Sequence, residues 1–228
     1  TLYHLLFSEN YLGFVQGHSY LDQNSLNNIK QLIGETDSEI RDNFENSLSN
    51  IIGNGRAVSF AAARMGFYAL MKVLNIGKGD EVIIQGHTCS VMPNAIFRIG
   101  AKPIYADIDQ SSFGSTADKI NELISNKTKM IVAQHSFGIP CDIHPIVEIA
   151  KKNKIFLLED CAITFDSKIN NIKVGNFGDA SLFSFDHSKP INAMLGGAIY
   201  TCNNKIYNLI KNLQIKSEEL PIKKQKLI

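Results

Sequence analysis

The sequence has no surplus of either charge: 23 Lys and Arg stand against 22 Asp and Glu, for a net charge of +1. That balance supplies no field for steering nucleic acid or an anionic membrane, so partners have to be sought in local sites. Long apolar runs are also missing. The longest, such as residues 155–158, fall far below the roughly 20 residues that a membrane helix requires. Cysteine is scarce and scattered: Cys89, Cys141, Cys161 and Cys202 form no CxxC pair and follow no secretory signal. This argues against a metal site or a disulfide framework and fits a reducing cytoplasm. No GxGxxG follows any candidate strand, so a nicotinamide-binding reading fails. Internal repeats and low-complexity linkers are absent as well. What remains is 44% hydrophobic and 20% charged over 228 residues, neither collagen-like nor disordered. At about 100–200 residues per domain, that length allows one large domain, or one and a half. The chain begins with Thr1 rather than Met and closes on a basic stretch around residues 221–228, so both ends read as cuts in a longer protein.

From residue 55 onward, short β-rich runs alternate with amphipathic stretches. Strands are expected at 57–60, 81–85, 103–107, 130–134, 155–159, 180–185 and 198–201, and helices at 64–74, 93–99, 117–124, 143–152 and 205–213. Strands separated by helices of this length imply parallel pairing through right-handed crossovers. The expected fold is therefore α/β: three layers, with a mostly parallel seven-stranded sheet covered by helices on both faces. The first 54 residues are more polar and read as helical. Residues 37–52 carry apolar positions at Ile40, Phe44, Leu48, Ile51 and Ile52, suited to packing on the large domain or on a partner subunit.

In open α/β sheets, ligands sit at the carboxyl ends of the strands. The residues just past those ends are 61–64, 87–90, His135 with Ser136, 160–163 and 184–189. They carry hydroxyls, imidazoles, a carboxylate and a lysine. Lys189 lies four residues past an apolar strand and seven before the Gly196-Gly197 pair. A desolvated lysine can lose its proton, and the neutral amine forms a Schiff base with an aldehyde. Taken alone, a lysine is ordinarily a solvated surface residue. Asp160 ends the apolar strand IFLLED, where a buried carboxylate needs a cationic or donor partner, and a protonated pyridine nitrogen is one such partner. A helix N-cap aspartate is the alternative. Phosphate needs backbone N–H groups at a helix start plus hydroxyls. Ala62, Ala63 and Arg64, where the first strand turns into a helix, and Ser184 are candidates for this role. Good helix composition and a self-capped loop explain the same residues as well.

Order and spacing add a resemblance. The passages LNIGKGDEVII with HTCSVMPNAIFRIGAKPIYADID, KTKMIVAQHSFGIPCDIHPIVEIAKK, IFLLEDCA with KVGNFGDASLFSF, and FDHSKPINAMLGGAIYT resemble the DegT/StrS-type nucleotide-sugar aminotransferases. These are pyridoxal 5'-phosphate enzymes of the aspartate-aminotransferase fold. A weaker match over residues 37–56 extends the likeness. The resemblance implies that Lys189 is the Schiff-base lysine, Asp160 the partner of the pyridine nitrogen, and Ser184 a phosphate ligand. The turn that is usually Ser-Gly-Thr is Ala62-Ala63-Arg64 here, so backbone donors stay while two hydroxyls go, and Arg64 can compensate by pairing with phosphate. Cys89 stands where an aromatic ring commonly stacks on the cofactor, with His87 two residues before it. Ile163 stands where a glutamine often contacts the cofactor's phenolic oxygen.

The resemblance further implies transfer of an amino group, from glutamate, to a keto group of a nucleotide-linked sugar, for amino-sugar or surface-polysaccharide biosynthesis, by a homodimer. It divides the chain into an N-terminal helical segment (1–54), a cofactor-binding large domain (55–215) and a tail (216–228), with the family's C-terminal small domain expected to be absent from these 228 residues. A truncated, non-catalytic homologue that binds cofactor or a partner subunit is the alternative. A sugar dehydratase, in which histidine replaces the lysine, fits less well, because Lys189 and not His187 holds the motif position.

Overall fold

The computed structural model describes Asn24, Asn27, residues 37–193 and residues 195–217. Helix α1 (Asp37–Ile52) leads into β1 (Arg56–Phe60), followed by α2 (Ala63–Val73), β2 (Glu81–Gln85), α3 (Val91–Ile99) and β3 (Lys102–Ala106). Then come α4 (Ala117–Asn121), β4 (Thr128–Gln134), α5 (Ile143–Asn153) and β5 (Phe156–Asp160). A small hairpin of β6 (Lys168–Ile169) and β7 (Ile172–Lys173) precedes β8 (Ala180–Ser184), β9 (Gly197–Thr201) and α6 (Asn204–Ile215). Each expected strand and helix is present to within a few residues at its ends, α4 being the most shortened. The β6–β7 hairpin is an addition, built on Asn170 and Asn171 with positive φ, which asparagine tolerates better than most residues.

Seven strands form one sheet in the order β1-β9-β8-β5-β4-β2-β3, parallel except for β9, which runs antiparallel to both of its neighbours. The reason is local: no helix separates β8 from β9, so the chain turns back beside the strand it has just left. The central strands are buried on both faces, as a parallel sheet requires. Val82, Ile84, Met130, Val132, Leu158, Leu182 and Ile199 meet Phe67, Leu70 and Met71 of α2, Ile96 of α3 and Ile210 of α6. Their alternates Ile83, Ile131, Ala133 and Leu157 meet Ile120 of α4 and Ile143 and Ile146 of α5. On that second face, Leu48 and Ile52 of α1 pack with Ala57, Phe183, Ala198 and Tyr200.

Helix α1 is also tied down by charge. The buried carboxylate of Glu45 accepts from the Ser59 N–H at 2.8 Å, the Lys211 ammonium at 2.6 Å and the Gln214 amide at 2.8 Å. It therefore joins α1, β1 and α6, and the described part of the N-terminal segment packs on its own sheet. Residues 1–23 and 28–36, and the tail from 218, lie outside the described residues. No helix among the described residues is long and apolar enough to cross a membrane.

One close approach sets the geometry where β1 becomes α2. Gly197 faces that turn, and a β-carbon there would collide with the backbone of Ala63. Gly197→Ala is therefore expected to cost about 1–3 kcal/mol of stability, by forcing backbone against backbone. Gly86→Ala is the control, since its added carbon meets only the Ala106 carbonyl at 3.6 Å. Urea unfolding of the two variants should separate them; equal midpoints would show that the turn can move aside.

Candidate active site

The carboxyl ends of β1, β5 and β8 enclose a cavity of about 200 Å³. Larger grooves, of about 790 and 450 Å³, lie between α2 and α3 and near the start of β5, but neither contains Lys189 or Asp160. The cavity contains both. Its wall also includes Ala62, Ala63, Arg64, Cys89 and Ser184, so seven of the nine candidate residues converge from five segments of chain. His87 and Ile163 do not line it. His87 is exposed and turns toward the Phe137 ring, 6.2 Å between centroids, and Ile163 is half-buried in the loop leaving β5.

Asp160 is the last residue of β5 and is paired to Gln134 of β4 and Leu182 of β8, which holds its backbone in the middle of the sheet. Its side chain is 4% exposed. One carboxylate oxygen accepts the Ala162 N–H at 2.9 Å. Burial pushes the carboxyl above its usual range, with the Ala162 N–H and the Lys189 charge working against that shift. An anion held in this way is best satisfied by a cationic donor placed in the cavity.

Lys189 sits in a loop closed at its base by backbone bonds between Phe185 and both Gly196 and Ala193. Sequence reasoning missed the residue that shapes this loop, Asp186. Its carbonyl accepts the Lys189 N–H at 2.9 Å, and its carboxylate engages His187 Nδ1 at 2.6 Å. The available signal was the Asp-His-Ser run, since aspartate side chains favour such turns. Across the cavity, α2 begins at Ala62 with no side-chain cap. The first N–H groups of a helix have no partner within it, and the small side chains here leave them approachable. Leu182, Leu195, Val91 and Met92 supply apolar wall.

His135 and Ser136, expected at the open rim, are instead fully buried. The backbone N–H of His135 bonds the Asp160 carbonyl at 3.0 Å. Its Nε2 lies 3.0 Å from Glu159, and its Nδ1 accepts the Cys141 N–H at 3.2 Å, which assigns the ring proton to Nε2. Glu159 also accepts backbone N–H groups from Gly175, Phe177 and Gly178 at 2.6–2.8 Å. His135, Glu159 and Cys161 lie close enough to hold a metal ion, but four donors already occupy both Glu159 oxygens, and the group reads as a structural clamp behind Asp160.

Three layers, with helices on both faces of a mostly parallel seven-stranded sheet, are the architecture of the aspartate-aminotransferase fold. Residues 22–226 match the DegT/DnrJ/EryC1/StrS aminotransferase family, and the chain belongs to that family. Pyridoxal phosphate is the cofactor of its members. The chain is 36% identical to a GDP-perosamine synthase of Escherichia coli O157:H7 over 182 residues, which cover 80% of this chain and 50% of that protein. It is 31% identical to a UDP-N-acetyl-3-dehydro-alpha-D-glucosamine 3-aminotransferase of Acidithiobacillus ferrooxidans, over 75% of this chain and 46% of that one. Among solved structures, DesI in the presence of its TDP-sugar product superposes with a TM-score of 0.82 at 25% identity, over 91% of this chain and 54% of DesI. The chain thus spans about half the length of the relatives it matches.

The chemistry of the cavity wall is compatible with pyridoxal phosphate: a buried carboxylate, a lysine, a serine hydroxyl and an uncapped helix N-terminus line it together. The buried carboxylate has a measurable signature in the cofactor-free protein. A carboxyl whose pKa is raised by folding weakens the folded state above that raised value, and the loss vanishes at low pH, where it is protonated in both states. Cofactor-free Asp160→Asn is therefore expected to melt above the parent near pH 7, with the gap closing as pH falls through the raised range of Asp160. Thermal melts between pH 4 and 7.5 test this; a variant less stable than the parent at neutral pH would contradict it.

Proposed function

We propose that the chain is the cofactor domain of an enzyme that moves an amino group, with glutamate as donor, onto a keto group of a nucleotide-linked sugar, in the making of an amino sugar for a surface polysaccharide. The observation that carries this reading is the placement of Lys189 and Asp160 in one cavity closed by the α2 N-terminus. The names of the relatives support the nucleotide-sugar part. Bound pyridoxal phosphate supplies an electron sink, which stabilises the charge left when a proton leaves a substrate carbon.

The chain's own residues do the rest. Lys189 Nζ would hold the cofactor at its aldehyde carbon and, once free as a neutral amine, would itself accept the proton that leaves the substrate carbon. The loop organised by Asp186 keeps that amine at the cavity wall. Asp160 retains the proton on the ring nitrogen, because a buried carboxylate gains most from a charged partner. The backbone at Ala62, Ala63 and Arg64, with the Ser184 hydroxyl and the Arg64 charge, binds the phosphate. Cys89, on the cavity wall, is proposed to face the cofactor ring, whereas His87 and Ile163 do not line the cavity. The remaining half of the relatives' length is the proposed source of the small domain that closes over the sugar, and the assembly is proposed to be a homodimer.

In a second reading, these 228 residues by themselves bind cofactor but turn nothing over, since an open site orients substrate poorly and admits water. The chain mixed with pyridoxal phosphate should develop visible absorbance, and borohydride reduction with peptide mapping should mark Lys189. Lys189→Ala should lose both signals. Asp160→Asn should keep them but slow the half-reaction with glutamate by several orders of magnitude. Label on another lysine, or full speed in Asp160→Asn, would defeat the mechanism. Visible absorbance without amination of a keto-sugar nucleotide would select the second reading.

A further inference from the structure

An aromatic cluster on the same rim is left unused by this chemistry. Phe137 is 64% exposed and Phe113 is 40% exposed, and their rings meet edge-on, 5.9 Å apart at 88°. The His87 ring lies 6.2 Å from Phe137, tilted by 46°. Exposed phenylalanine costs solvation, and here it also costs conformation, because both Phe113 and Phe137 have φ of 54°. A bulky residue in the left-handed region is held there against its preference, and such strain gathers at ligand sites.

The turn that presents Phe137 is rigid. Ser136 and Ile139 exchange both backbone bonds, at 2.8 and 3.1 Å, so Phe137 and Gly138 form a tight two-residue turn with positive φ at both positions. Asn-Gly is the ordinary choice for this geometry. Beneath it, the Gly138 N–H donates to Thr164 Oγ1 at 3.1 Å, Ser167 Oγ donates to the Gly138 carbonyl at 2.9 Å, and Ser136 Oγ donates to the Phe113 carbonyl at 3.2 Å. Gln85 Nε2 holds the His87 carbonyl.

The cluster adjoins the cavity through two loops. His87 precedes the cavity-lining Cys89 by two residues, and Thr164 belongs to the loop that leaves Asp160. We propose that Phe137, braced by Phe113 and flanked by His87, is a stacking platform for the base of the nucleotide-linked substrate, an inference that rests on the nucleotide-sugar reading above. A base offers a flat π-face that stacks on an aromatic ring whatever its identity. The ring contacts in the cluster are edge-on and tilted, with no parallel stack among the described residues. The His87 imidazole beside it can donate a hydrogen bond to the diphosphate.

Calorimetric titration of the 228-residue chain with GDP and UDP, with ribose 5-phosphate as a base-free control, tests the platform. Phe137→Asn is the informative variant, because asparagine suits the left-handed position and the thermal midpoint should hold or rise. Loss of one stacked base should weaken GDP and UDP about tenfold, leaving ribose 5-phosphate and the visible cofactor absorbance unchanged. Phe113→Asn should act in the same direction. Three results would overturn the proposal: equal nucleotide affinity in Phe137→Asn and the parent, no nucleotide binding by the parent, or a dimer that dissociates in Phe137→Asn, which would make the patch a subunit contact. The cofactor absorbance fails separately: its absence in a parent that still binds nucleotides through Phe137 would remove the aminotransferase reading and leave the platform standing.

Discussion

The buried carboxylate of Glu159 is the interaction on which the site's architecture hangs. It is fully enclosed and accepts four hydrogen bonds, from His135 and from the backbone of Gly175, Phe177 and Gly178. An unpaired charge at that depth would cost several kcal/mol, so the chain must bring those donors to it. In doing so it binds the end of β4, the end of β5 and the approach to β8 into one unit. Those three strands place Asp160, Ser184 and the loop of Lys189. A lost donor would be felt at the cavity although none of the four groups touches it.

Beside that fully satisfied charge lies one with a single donor in the hydrogen bonds above. Glu159 and Asp160 are neighbours on one strand and both are buried, yet Glu159 has donors on both oxygens and Asp160 has its carboxyl pushed up by burial. The two faces of a strand explain how one dipeptide serves both purposes: Glu159 points into the layer of the 175–178 turn, Asp160 into the cavity. Free energy withheld from folding at Asp160 is available to a cationic ligand. The left-handed Phe113 and Phe137 follow the same logic at the rim, where local conformation is sacrificed to present rings to solvent.

Much of this was legible beforehand because both faces of a parallel sheet must be apolar, which writes short runs such as VII, IVA and FLL into the chain at regular intervals. Asp160 and Lys189 were legible for the opposite reason, as ionisable residues standing at the end of such a run and four residues past one. The antiparallel course of β9 was not, since strand direction depends on the connection between strands and leaves no mark within Gly197–Thr201. His135 and Ser136 misled because a polar pair after a strand looks like a rim. Their burial follows from Glu159 and from the Ser136–Ile139 turn, partners that are distant in sequence or hidden in backbone geometry. Asp186 and the Phe113–Phe137 contact depend likewise on how loops close.

The sequence by itself determined the α/β alternation, the helix over residues 37–52, the family likeness and the two ionisable residues at the centre of the site, because periodicity and local chemistry are properties of neighbours along the chain. Only the tertiary structure decided which of nine candidates share a cavity, that His87 and Ile163 stand outside it, and that a buried glutamate organises the strands behind it. Those outcomes depend on crossover paths and on the pairing of buried polar groups, which bring together residues as far apart as Ala62 and Gly196.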